Sequence, residues 1–326
     1  MKCYQIINWI AVLGHLVASI SFIYVYLSRT NFEIGYTETY LKWIRIDGEE
    51  YKGILMNTTD ACNLLNPPGR NLSTANNGDF CIVATTSGGI GGLDLGWLII
   101  SFHLLSFFFQ ALAGLTDNCI NGIEIGDFKY KYSYMIEIEG RNPLRFIEYS
   151  ISASIMLICI AFLNGVTDVN LIASIAVLTA CCQLCGLVVE YIPDEQLTLQ
   201  YILHFTGWIQ FLCAYGIISH AFFKSIDAVA DVRPPDFVYV IVFTLFALYS
   251  SFGIVQLSEL CCKTRRICGS KELTGCDKCP KWCRNENNRA INKQYKEILY
   301  VSLSLGAKLV LGLLIFTNVL FSTREE

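Results

Sequence analysis

The sequence predicts an all-α membrane protein, a bundle of seven transmembrane helices with a cytosolic N-terminus and a β-hairpin in the first extracellular loop. Three observations lead there. Of 326 residues, 53% are hydrophobic and only 16% charged, and the mean hydropathy of +0.45 is too high for an ordinary soluble domain. The 24 basic and 28 acidic residues, net −4, gather in loops and leave long charge-poor runs. Lysine and arginine are shared unequally between the two sides of those runs. This composition excludes most soluble enzymes and soluble nucleic-acid binders; we expect no enzyme and a chain whose first partner is the lipid bilayer.

A hydrocarbon core of about 30 Å needs roughly 20 apolar residues per helix. Seven stretches qualify, about 5–27, 95–116, 143–164, 169–191, 198–223, 236–260 and 298–321. The first follows Lys2 as a signal peptide would, but it is too long and lacks a small-residue cleavage site, so it is read as a retained helix. With the N-terminus in the cytosol, that side carries 15 Lys or Arg and the other side 8, with Lys308, deep in the last span, assigned to neither. Positive-inside bias therefore places the C-terminus outside, in a multi-pass protein of the plasma membrane. The glycosylation sequons at Asn57 and Asn71 both fall in the outer loop 28–94 and agree.

Within that loop, Thr37 to Ile46 alternates polar and apolar, Asp47-Gly48 signals a turn, and Glu50 to Leu55 can return as the second strand of a hairpin. Cys62 and Cys81 are its only cysteines, and a disulfide between them would close the Pro67-Pro68-Gly69 bend. Loop 261–297 is basic and holds Cys261, Cys262, Cys268, Cys276, Cys279 and Cys283. Cys276, Cys279 and Cys283 have a partial zinc-knuckle spacing; acylation of Cys261-Cys262 and a basic loop lying on lipid headgroups are the alternatives.

The last span carries one charge, Lys308. A lysine at mid-bilayer costs about 2.5–3.5 kcal/mol, and Lys308, about 15 Å into its helix, is too deep to snorkel. It is either half of an interhelical ion pair or a functional amine, and a desolvated amine is what condensation with an aldehyde requires. The third span opens with Arg145-Phe146-Ile147-Glu148, placing a carboxylate a little over a turn in. Both helices start at the same face and side chains lean toward helix N-termini, so Lys308 leans toward the depth of Glu148. The carboxylate and a positive nitrogen there would each favour the other's charged form.

Glu-Tyr-Ser-Ile-Ser-Ala-Ser at 148–154 and Ser-Leu-Gly-Ala-Lys at 304–308, with seven spans, a cytosolic N-terminus and a hairpin in the first outer loop, resemble the heliorhodopsins. These are retinal-binding photoreceptors inverted relative to other microbial rhodopsins. The resemblance implies all-trans retinal as a Schiff base on Lys308, Glu148 as counterion, Ser304 and Ser152 beside the Schiff base, and a homodimer. It also implies a polar, proton-accepting cavity at His15 and His103; taken alone, each histidine reads as a packed, hydrogen-bonded residue.

A polyene needs a flat apolar slot walled by aromatic and adaptable side chains. Met156, Trp208, Phe211, Phe243, Phe246 and Tyr249 are candidates for it, with Gln183 and Gly186 weaker ones. Ion pumps of the ordinary microbial rhodopsin kind use two further carboxylates, where this chain has Ser304 and Cys159, which argues against outward proton pumping. Two functions follow from the resemblance. One is a photoreceptor in which retinal isomerisation and Schiff-base deprotonation drive a conformational signal. The other is a light-gated channel that conducts protons passively, for which Glu190 is a candidate path residue beside Asp94, Glu259 and the histidines.

Overall fold

The computed structural model describes residues 2–27, 33–37, 39–45, 80–86, 91–118, 122–125, 128–228, 236–269 and 289–317. Seven helices among them are long and apolar enough to cross a membrane, so the chain is a multi-pass integral membrane protein. They are α1 (Cys3–Leu27), α2 (Leu95–Asn118), α3 (Pro143–Leu163), α4 (Val169–Tyr191), α5 (Leu197–Ala228), α6 (Asp236–Gly269) and α7 (Arg289–Ile315). The described residues fall into two compact units, one within Met1–Ile34, Asp94–Val166 and Leu171–Glu326 and the other within Gly35–Leu93 and Thr167–Asn170.

In the helical unit α1 packs on α2 and α7, α2 on α3, and α6 on α5 and α7. Ser154 Oγ of α3 donates to the Ala176 carbonyl of α4 at 2.9 Å. The most enclosed helix is α3, with 67% of its apolar window buried; small residues (Ser152, Ala153, Ser154, Ala161) let neighbours approach it on several sides. Asn142 caps its N-terminus by accepting from the Arg145 amide, and Pro143 occupies the first turn, where its missing N–H costs nothing. Asp94 does the same for α2, accepting from Trp97 N at 3.1 Å and from the Tyr26 hydroxyl at 2.9 Å.

Two helices overrun their predicted ends. α6 continues to Gly269 and α7 begins at Arg289, so both ends of the segment 261–297, expected as a loop, are helical. Charge pairing explains the extension: Lys263 reaches Asp194 at 3.0 Å and Glu259 at 3.8 Å, and Lys296 meets Glu259 at 2.9 Å. Polar turns with such partners continue the helical hydrogen-bond ladder beyond the apolar stretch.

The connection from α2 to α3 is more ordered than its sequence suggests. Strands Ile123–Ile125 and Phe128–Tyr130 pair antiparallel; a helical turn at Tyr132–Tyr134 and a π-helical turn at Met135–Glu139 follow. Gly140 ends the turn at φ 75°, and Lys293 and Lys296 of α7 donate to the Ile138 and Gly140 carbonyls at 2.6 and 2.9 Å. A Cβ on Gly140 would meet Lys293 Cε at 2.5 Å in a backbone region that L side chains avoid. Gly140→Ala is therefore expected to cost about 1–3 kcal/mol, visible as a lower unfolding temperature in detergent.

The same connection holds the start of α1. Lys2 forms an ion pair with Glu137, and the Tyr4 hydroxyl donates to Glu137 Oε1 at 2.7 Å. Burial pushes the Glu137 carboxyl up, but the hydrogen bonds from Lys2 and Tyr4 outweigh it and hold the group below the usual carboxylate range. A lowered carboxyl contributes stability that is complete above its unfolded pKa and is lost as pH falls through the folded one. Acidification is thus expected to release the first turns of α1, measured as faster amide exchange there, and Glu137→Gln should flatten that dependence.

In the smaller unit, strand Thr39–Arg45 pairs antiparallel with Phe80–Thr86, Thr39 opposite Thr86 and Arg45 opposite Phe80. The hairpin is present, but its returning strand is 80–86 instead of 50–55. The run at 80–86 is rich in β-branched residues, whereas 50–55 carries Gly53 and two charges. Lengthening the intervening loop adds little closure entropy. Thr37 exchanges backbone hydrogen bonds with Thr167 and Val169, at 2.9 and 2.8 Å. The Asp47-Gly48 turn, residues 50–55, Asn57, Asn71 and Cys62 lie outside the described residues, as do Cys276, Cys279, Cys283 and 318–321. Of the juxtamembrane pair for which acylation was one alternative, Cys262 is disulfide-bonded and Cys261 is a free, exposed thiol.

Candidate functional site

Lys308 Nζ lies 2.6 Å from Glu148 Oε1, with side-chain exposures of 3% and 2%. Glu148 Oε1 also accepts from Ser152 Oγ at 2.8 Å, one turn along α3, and from Ser106 Oγ of α2 at 2.6 Å. Ser106 also approaches the Phe102 carbonyl at 3.0 Å; with one proton to give, it favours the shorter contact to the carboxylate. Lys308 Nζ reaches Ser304 Oγ, one turn back on α7, at 3.0 Å. The Tyr149 ring centroid is 5.1 Å from the ammonium. Three helices thus offset the burial of one cation, with a carboxylate, hydroxyls and a π face.

His15 and His103 face each other, Nδ1 to Nδ1, at 3.0 Å. Both rings are fully buried, and neither Nε2 has a hydrogen-bond partner among the described residues. For the Nδ1 contact to be a hydrogen bond one ring carries its proton there and the other does not. That leaves one ring with a free acceptor Nε2 and the other with a free N–H.

Two adjoining cavities extend from the lysine. One is lined by Lys308, Ser304, Ser152, Met156, Gln183 and Tyr249 among others. The second, the larger of the two, shares Gln183, Tyr249 and Phe252 with it and adds Trp208, Phe211 and Gly186. Phe243 and Phe246, expected to line the slot, do neither. Phe243 is 57% exposed, and Phe246, 38% exposed, stacks on the back of Phe211 at 5.8 Å. At 100° per residue, Phe243 stands about 120° around α6 from Tyr249. Trp208 lies flat on α6 because residue 253 is glycine; a Cβ there would meet its ring at 2.6 Å. The Trp208 indole donates to His204 Nε2 at 2.9 Å, which leaves His204 Nδ1 to donate to Gln256 Oε1 at 3.0 Å.

Glu190 sits elsewhere, in a buried ionic cluster near the face of the bundle that carries the N-terminus. Arg145 pairs with Glu190 at 2.7 Å and with Glu297. Lys296 joins Glu190 and Glu259, each at 2.9 Å. Tyr132 and Asn142 donate to Glu297 at 3.1 and 2.8 Å, and the Arg145 guanidinium lies 4.1 Å from the Tyr300 ring centroid. Sequence reasoning missed Arg145 and Glu297, and also Ser106. Only Ser106 left a local sign: three residues after His103, it shares that helix face.

A family model described as Heliorhodopsin matches residues 74–261, more than half of the chain. The match includes Glu148 and ends before Lys308; the fold brings the lysine back to it. Comparison with curated proteins finds no match.

Proposed function

The chain belongs to the heliorhodopsin family, and from that premise we propose that it is a light receptor holding all-trans retinal on Lys308 and signalling by a conformational change. The observation that carries this is the buried Lys308–Glu148 pair at the edge of an apolar cavity. The residues suit the group: a reactive amine, a paired carboxylate, and a largely apolar wall that includes Met156, Tyr249, Phe252, Trp208 and Phe211. Covalently bound through Lys308 Nζ, retinal would supply visible absorption and a light-driven double-bond isomerisation.

The chain's own groups do the rest. Glu148 balances a positive Nζ; Ser106 and Ser152 hold its Oε1 from two helices, and Ser304 steers the nitrogen. The free Nε2 acceptor of the His15–His103 pair is a base able to take a proton from this neighbourhood. Glu148→Gln removes the negative charge and is expected to move the visible band to longer wavelength; an unchanged spectrum would remove Glu148 as counterion. We read the assembly as a homodimer in the plasma membrane with the N-terminus cytosolic.

Passive proton conduction is the second reading, favoured by a small cavity whose lining includes both Glu148 and Glu297. Voltage clamp of cells with confirmed pigment separates the two. A light-evoked current reversing with the proton gradient means a conducting path, and no current from confirmed pigment means a receptor.

A further inference from the structure

A small cavity, with room for about one water, lies between the two buried charge clusters, lined by Asn8, Gln110, Asn142, Arg145, Glu148 and Glu297 among others. Two of these present buried polar atoms that no group among the described residues satisfies, Gln110 Oε1 and Arg145 Nε. Buried polar atoms are nearly always hydrogen-bonded, and where protein offers no partner in a polar space, ordered water does. Asn8 directs an amide N–H to the Gln110 backbone carbonyl at 2.9 Å and makes no hydrogen bond to Gln110 Oε1.

We propose that this cavity holds a water bridge and that Glu297 is the group through which Glu148 exchanges protons with the N-terminal face. The inference deepens the retinal-protein reading and rests on it for its kinetic arm. A proton received by Glu148 from Lys308 Nζ passes through water to a Glu297 carboxylate oxygen, and Glu148 returns to its charged form. Glu297 faces Arg145 on α3 and the donors Tyr132 and Asn142, with Glu190 of α4 and Lys296 reached through the same cluster. Once neutral, Glu297 releases its half of Arg145, which keeps Glu190. A proton move at the lysine thereby changes which carboxylate ties α3, and the event at Lys308 reaches the end of the bundle.

The first arm needs no retinal. X-ray radiolytic labelling of the retinal-free protein marks side chains beside bound water. Phe109, Tyr149 and Val301, which also line the cavity, should be labelled in the wild type and fall to the level of lipid-facing residues in Gln110→Leu. The second arm follows recovery of the visible band after a flash. Gln110→Leu and Glu297→Gln should each slow it by about tenfold or more, and Glu297→Gln should delete a carboxylic-acid band from the light-minus-dark infrared spectrum. An unlabelled wild-type cavity overturns the bridge, and unchanged kinetics with an intact infrared spectrum overturn the role of Glu297. Gln110→Leu leaves the ionic cluster untouched, so the kinetic arm survives a Glu297→Gln protein that does not fold. Failure of the wild type to form pigment overturns the functional reading instead, while labelling still decides the hydration.

Discussion

Lys308→Ala is expected to abolish covalent retinal attachment and with it the visible band. No other lysine lies within one of the seven apolar runs read from the sequence, and among the described residues Lys308 is the lysine paired with Glu148. The substitution also strips Glu148 of its cation, although Ser106 and Ser152 continue to donate to it. A buried carboxylate left so exposed to low dielectric destabilises the fold by itself. The double variant Lys308→Ala with Glu148→Gln removes both charges and separates the effects. It should fold, by circular dichroism and size-exclusion elution, and still form no pigment. A covalent pigment in either variant would sink the assignment of Lys308.

Arg145→Leu is expected to lower stability by about 3–5 kcal/mol, the range for removing one partner from a buried ion pair. Arg145 serves Glu190 and Glu297 together, both carboxylates almost wholly buried, so its loss takes a cation from each. Lys296 still pairs with Glu190, which places the damage at Glu297. Arg145→Lys keeps the charge but loses the planar fork that meets two carboxylates at once, and should fall between wild type and Arg145→Leu. Thermal unfolding midpoints of the three proteins in one detergent provide the measurement. Equal midpoints for Arg145→Leu and wild type would mean that the cluster adds nothing.

The parts of the site that could be read in advance are those whose cost is local. Lys308 announces itself because a charge inside an apolar run must be offset wherever the helix packs, and Glu148 because it is the carboxylate a turn inside another such run. Ser304 and Ser152 came from the family resemblance, and helical spacing agrees, each lying one turn from a charged residue. The retinal slot was legible only in part: Tyr249 and Phe243 lie six residues apart on one helix, and nothing in the apolar pattern says which of them faces inward. With lipid outside and protein inside equally apolar, the hydrophobic signal that orients a soluble helix is missing.

Composition and apolar run length alone determined that this chain is a membrane bundle of seven helices, because each span must satisfy its own backbone and so declares itself residue by residue. They also determined that Lys308 needs a partner. Tertiary structure alone decided that His15 meets His103, that Ser106 completes the shell of Glu148, and that Arg145 gathers Glu190 and Glu297 from two other helices. Those contacts join residues 88, 42, 45 and 152 positions apart. Each depends on the rotation of two helices about their axes, which hydropathy leaves free and which packing around α3 settles.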